Sequence, residues 1–182
     1  RYCNAKIDFV DINLKDGLID IDLLSRKLEK ADKLGKLPKV IICVHLGGAS
    51  CNMKRVKELS KKYGFKIIED ASHAFGGEYF EDKVGHCKFS DICVFSFHPV
   101  KIITTAEGGI ATTNDKNLAR KMQLLRTHYI TKNKSEFIKS ICSNIPEPPN
   151  YFIETVNKNA KGYKLYHELY DSLHPLTQSQ LT

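Results

Sequence analysis

The chain has 182 residues, with 28 Lys and Arg against 21 Asp and Glu, a formal net charge of +7 and 42% hydrophobic residues. That length supports one domain with a real core and excludes two large ones. No stretch is long and apolar enough to span a bilayer, and no basic segment followed by an apolar run marks an export signal, so no membrane partner is expected. The basic residues are spread along the whole chain, which argues against a nucleic-acid partner. Between Asn52 and Tyr63, Met53, Val56, Leu59 and Tyr63 form one helical stripe and Lys54, Lys57 and Lys61 another, the pattern of a solvated helix face. The six cysteines show no CxxC pairing, so reduced thiols in a cytoplasmic protein are expected, with Cys43 and Cys93 in the core and no metal site. The sequence opens at Arg1 as if already approaching a strand, as expected of a fragment.

Taken in order, Ile7 to Ile12 alternates as a strand does, and Lys15-Asp16-Gly17 turns the chain. Asp20 or Asp22 can cap a helix through Leu23, Leu24 and Leu28 to about Ala31. Lys39 to Val44 is a short, continuous apolar run, the signature of a strand buried on both faces. Gly47-Gly48 lacks the spacing of a phosphate-binding loop and reads as a tight turn between strand and helix. Asn52 caps the next helix, Gly64 closes it, and Phe65 to Ile68 forms another strand. Asp91 to Phe95 and Gly109 to Thr113 add further strands, and Asn114 caps a helix carrying Leu118, Met122 and Leu125. This alternation predicts an α/β protein with a mainly parallel sheet flanked by helices. Residues 131–150 are polar and proline-rich and read as a loop or linker, while residues 151–182 carry no usable motif beyond a short helical pattern near Tyr163 to Leu173.

The chemistry concentrates after the strand that begins at Asp91. Phe95-Ser96-Phe97-His98-Pro99-Val100-Lys101 is followed by Thr104-Thr105-Ala106-Glu107-Gly108-Gly109, so one lysine stands among small, hydroxyl and glycine residues. A lysine amine in a desolvated pocket gives up its proton more readily, and the neutral amine attacks carbonyls. Lys101 is the candidate Schiff-base lysine. Glu69-Asp70-Ala71-Ser72-His73-Ala74 closes an earlier strand, and ligands of open α/β sheets gather at the carboxyl ends of strands.

Together with Val44-His45-Leu46-Gly47-Gly48, these stretches resemble, in order and spacing, the pyridoxal-phosphate-dependent nucleotide-sugar aminotransferases of the DegT/DnrJ/EryC1/StrS family. The His-Pro-Val-Lys and Asp-Ala-Ser-His forms are most similar to enzymes that aminate C4 of a UDP-linked 4-keto-6-deoxy-N-acetylhexosamine on the route to pseudaminic acid. The resemblance covers about residues 7–130 and implies part of the large domain of the aspartate-aminotransferase architecture, PLP fold type I, with residues 1–130 as the cofactor-binding fragment. It implies pyridoxal 5'-phosphate as cofactor, held by Lys101, which also moves the proton. Asp70 pairs with the pyridine nitrogen, His73 lies beside the ring, and Ser96 binds the phosphate. It further implies an amino-acid donor, glutamate, a nucleotide-sugar acceptor and a homodimer.

Each residue also has a plainer reading. Asp70 could cap a helix at Ser72, His73 could be an ordinary core or surface histidine, Ser96 could pair with nearby backbone, and Lys101 could be a solvated loop lysine. The sequence departs from the family in lacking the amino-terminal part of the large domain and a recognisable small domain, and Tyr129 stands where the family usually has glycine. A different sugar or a 3-keto position is the runner-up substrate. A dehydrating relative is disfavoured because those carry histidine in place of the lysine. The rival outside enzymology is a catalytically incomplete family fragment acting only as a binding or interaction module.

Overall fold

A computed structural model describes residues 5–126. The chain divides into two compact units, residues 1–119 and 120–182, and most of the second lies beyond the described residues. The predicted linker at 131–150 and the segment 151–182 therefore fall outside the description, as does Tyr129.

Helix α1 (Ile21–Lys33) starts where the sequence places it. The Asp20 side chain accepts the amide N–H groups of Asp22 and Leu23, and the helix turns Leu24 and Leu28 inward. Strand β1 (Val40–Val44) leads through a single 3-10 turn at Leu46–Gly48 to helix α2 (Met53–Tyr63). Asn52 caps α2 by accepting the Arg55 amide, and Gly64 ends it at φ 80°, in the left-handed region that only glycine enters without cost. Strand β2 (Lys66–Asp70) follows. A small antiparallel pair, β3 (Glu78–Tyr79) and β4 (Asp82–Lys83), turns through Phe80 at φ 55°, a feature the sequence reading did not contain. Strands β5 (Ile92–Ser96) and β6 (Gly109–Thr112) and helix α3 (Lys116–Arg126) complete the order.

The main sheet runs β1-β2-β5-β6, parallel from β1 to β5 and antiparallel at β6. Asp91 ties β5 to β2: one carboxylate oxygen accepts the Ile67 amide at 2.9 Å and the other the Lys66 ammonium at 2.9 Å. Burial works against ionisation there, yet these two donors hold the Asp91 carboxyl below its usual range. One face of the sheet packs Ile41, Cys43 and Ile67 against Leu24, Leu28, Met53, Val56 and Leu59 from the helices. Cys43 and Cys93 lie in the core as expected, and burial pushes both thiols well above their usual pKa, leaving them protonated and inert.

Three expectations are corrected. Ile7 to Ile12 forms no strand: Ile7 and Phe9 are exposed, and a single bridge joins Ile12 to Ile19, because alternation without a neighbouring strand yields no ladder. β1 is not buried on both faces. Among the described residues it is an edge strand whose Val40, Ile42 and Val44 remain 46%, 58% and 44% exposed, since the helices cover only the opposite face. α3 is capped by Asp115, which accepts the Asn117 and Leu118 amides, whereas Asn114 donates to the His86 carbonyl. Its buried residue is Leu124, and Leu125 is exposed.

Candidate active site

Adjacent residues in register share a face of a sheet, and successive residues alternate. Val44 and Val94 flank Asp70 on its two neighbouring strands, so the carboxylate sits between two valines on the face the helices leave open. Ser96 lies on that face too, two residues beyond Val94, or about 7 Å further along the sheet. Both residues are half-exposed and both end their strands. Asp70 Oδ1 accepts the Ser72 amide at 3.1 Å, which fixes the carboxylate as it shapes the turn. No helix starts at Ser72, so Asp70 is not a helix cap. The Ser96 hydroxyl accepts the His98 amide at 3.4 Å and keeps its own proton to donate.

His73 stands in the turn after β2 and is exposed. Two contacts locate that turn. A Cβ on Gly48 would come within 3.2 Å of the His73 carbonyl oxygen, so the turn after β1 passes directly against the turn after β2. Phe75 packs edge-to-face on Phe95 and Phe97, with centroids 5.6 and 5.5 Å away, which joins the His73 turn to the root of the lysine loop.

The lysine loop spans Phe97 to Gly108 and is closed at its base. The Phe97 amide donates to Gly108, and the Thr105 amide and Thr104 hydroxyl both donate to the Phe97 carbonyl. A Cβ on Gly109 would lie 2.8 Å from the Phe95 carbonyl oxygen, so the return strand can begin there only with glycine. Ala106 is held at φ 65° with its amide on the Thr104 hydroxyl, a strained alanine of the kind that concentrates at functional loops. Lys101 follows a tight turn in which its amide donates to His98. Its side chain is half-buried, and Val100, Ile102 and Ile103 around it are exposed, so the expected enclosed pocket is not formed by the described residues.

The sequence reading passed over a buried polar group on the helix-covered face. His45, Glu69 and Ser90 are all buried, and His45 Nε2 lies 2.8 Å from Glu69 Oε2 while the Ser90 hydroxyl donates to Oε1. The available signal was a histidine and a glutamate inside otherwise apolar strand segments.

The model of the DegT/DnrJ/EryC1/StrS aminotransferase family matches residues 1–146. The chain belongs to this family. A UDP-4-amino-4,6-dideoxy-N-acetyl-beta-L-altrosamine transaminase of Campylobacter jejuni is 45% identical over 131 residues, covering 71% of this chain and 33% of the relative. Among solved structures, Helicobacter pylori PseC, an aminotransferase involved in the biosynthesis of pseudoaminic acid, superposes with a TM-score of 0.61 at 40% identity, over 69% of this chain and 32% of that one. A sugar aminotransferase of Streptococcus pneumoniae in its PLP form gives 0.58 at 30% identity, over 72% and 37%. The chain thus spans about a third of the length of the relatives it matches. Its described part is a mostly parallel α/β layer of the PLP fold type I kind, as its resemblance to this family implied. Among the described residues, no helix is long and apolar enough to cross a membrane.

Proposed function

We propose that this DegT/DnrJ/EryC1/StrS family chain carries the cofactor-binding part of a PLP-dependent aminotransferase that moves an amino group from glutamate to a keto sugar on a nucleotide. C4 of a UDP-4-keto-6-deoxy-N-acetylhexosamine is the acceptor that the relatives' names favour. The observation that carries the reading is the common placement of Asp70 and Ser96 on the open face, at the carboxyl ends of adjacent parallel strands, with the Lys101 loop springing from the second. The donor set fits a flat, phosphorylated pyridine aldehyde. A carboxylate between two valines suits a cationic ring nitrogen, a free hydroxyl suits a phosphate, and a loop amine suits an aldehyde.

When bound, the cofactor supplies an electron-accepting ring that takes up the electron pair left on the substrate carbon. Asp70 keeps the ring nitrogen protonated by facing it with a fixed negative charge. Ser96 Oγ donates to a phosphate oxygen and anchors the opposite end. Lys101 Nζ would hold the cofactor's aldehyde carbon until the donor's amino group displaces it, and the freed amine would then carry the proton to and from the reacting carbon as general base and acid. His73, in the exposed turn that follows Asp70, would orient the ring edge. The two loops are held together by Phe75 and Phe97, so these groups keep one geometry through both half-reactions. The complete enzyme works in the cytoplasm as a homodimer in this reading.

The test is amino transfer itself. With pyridoxal phosphate, 15N-glutamate and the UDP-4-keto sugar, label is expected in the 4-amino sugar product. Label retained entirely in glutamate, with the chain folded, would favour the non-catalytic binding module.

A further inference from the structure

A buried carboxylate is costly unless each oxygen is paired, and Glu69 meets that condition with unusual directionality. Its Oε2 faces His45 Nε2 at 2.8 Å and its Oε1 takes the Ser90 hydroxyl. The imidazole is oriented from behind, because His45 Nδ1 accepts the Cys51 amide at 3.1 Å. An accepting Nδ1 places the ring proton on Nε2, which donates it to Glu69. Cys51 is itself pinned, its thiol donating to the Val44 carbonyl at 3.1 Å next to the cap of α2.

The same histidine reaches the next residue through its backbone. The His45 amide donates to the Asp70 carbonyl at 3.0 Å, and the following amide, Ala71 N–H, donates to the Val94 carbonyl at 2.8 Å. The peptide after Asp70 is therefore held from both neighbouring strands, and the residue before it is held through its side chain from the opposite face. Replacing such a buried polar trio by apolar residues of similar volume is often neutral or stabilising. An apolar trio would not fix the rotation of the strand end, where ladders open most easily.

We propose that His45, Glu69 and Ser90 form a positioning network for Asp70, locking the end of β2 so that the Asp70 carboxylate meets the cofactor ring at one angle. This rests on the reading of Asp70 as the partner of the ring nitrogen. The three residues touch neither cofactor nor substrate; they lie on the far face of the sheet.

The decisive variant is Glu69→Gln. It keeps volume and shape but removes the charge. With its carbonyl oxygen toward His45, its amide must donate to the Ser90 hydroxyl, which can then no longer donate to residue 69. With the amide toward His45, it meets the Nε2 proton or forces it onto Nδ1 against the Cys51 amide, so the charge-assisted pairing is lost in both flips. In the cofactor-free chain, amide hydrogen exchange at Ala71 is expected to speed up by about tenfold or more relative to the core amides of Ile67 and Cys93. Ser90→Ala, which removes one donor, should act in the same direction to a smaller degree and serves if Glu69→Gln does not fold. With pyridoxal phosphate, Glu69→Gln should weaken binding by about tenfold, and adding it to Asp70→Asn should weaken binding little further, since both act through one carboxylate. Uniform acceleration of all amides, or fully additive losses in the double variant, would overturn the network's role and leave ordinary core stabilisation. Unchanged cofactor binding in Asp70→Asn alone would instead overturn the reading of Asp70, while the exchange data still decide whether the clamp exists.

Discussion

Replacing Lys101 with alanine is expected to reduce amino transfer by about 10³-fold or more, because in the proposed mechanism one side chain serves as both cofactor anchor and proton carrier. The fold should survive. Lys101 sits on a loop held by backbone and threonine hydrogen bonds, its own amide bond to His98 persists in alanine, and its ammonium makes no ion pair among the described residues. A stability change within about 0.5 kcal/mol is expected for such a position. Single-turnover transfer measured beside thermal unfolding separates the two effects. More than a tenth of the original rate in a folded Lys101→Ala chain would remove the residue from its role.

Asp70→Asn should cost about 10²-fold or more in turnover, the scale of losing one pre-aligned group opposite developing charge. The argument is electrostatic because the geometry is conserved: asparagine retains the oxygen that accepts the Ser72 amide, so the turn toward His73 is kept, and only the negative charge is removed. Cofactor affinity should fall with it. Steady-state kinetics with the keto sugar, together with a cofactor titration, check both. An Asp70→Asn enzyme with full turnover would mean that the ring nitrogen has no charged partner here.

How much of this was legible in sequence depends on which physics each residue expresses locally. Asp20, Asn52 and Gly64 act within one turn of chain, and each caps the helix end expected of it. The ends of β2 and β5, where Asp70 and Ser96 stand, were legible because strand ends show in the apolar pattern, whereas the roles assigned to these residues rest on the family resemblance. The failures are non-local. Alternation in Ile7 to Ile12 defines two faces but does not supply the partner strand, and the apolar run of β1 cannot say which face a helix will cover. Asn114 and Asp115 are both good caps, and the structure used the second because the first is drawn to the His86 carbonyl, 28 residues back. Glu69 and Asp70 are neighbours in sequence, yet alternation sends them to opposite faces, one to the buried histidine and one to the open side. His45 is 24 residues from Glu69, a pairing that only the sheet register reveals.

The central claim, that this chain builds the family's cofactor site around Lys101, is tested most directly by borohydride reduction of the folded chain with pyridoxal phosphate, followed by peptide mapping. The expected result is a visible absorption band that reduction abolishes, with the reduced cofactor fixed on the peptide containing Lys101. A folded chain with no band, or with cofactor scattered over the many exposed lysines, would contradict it.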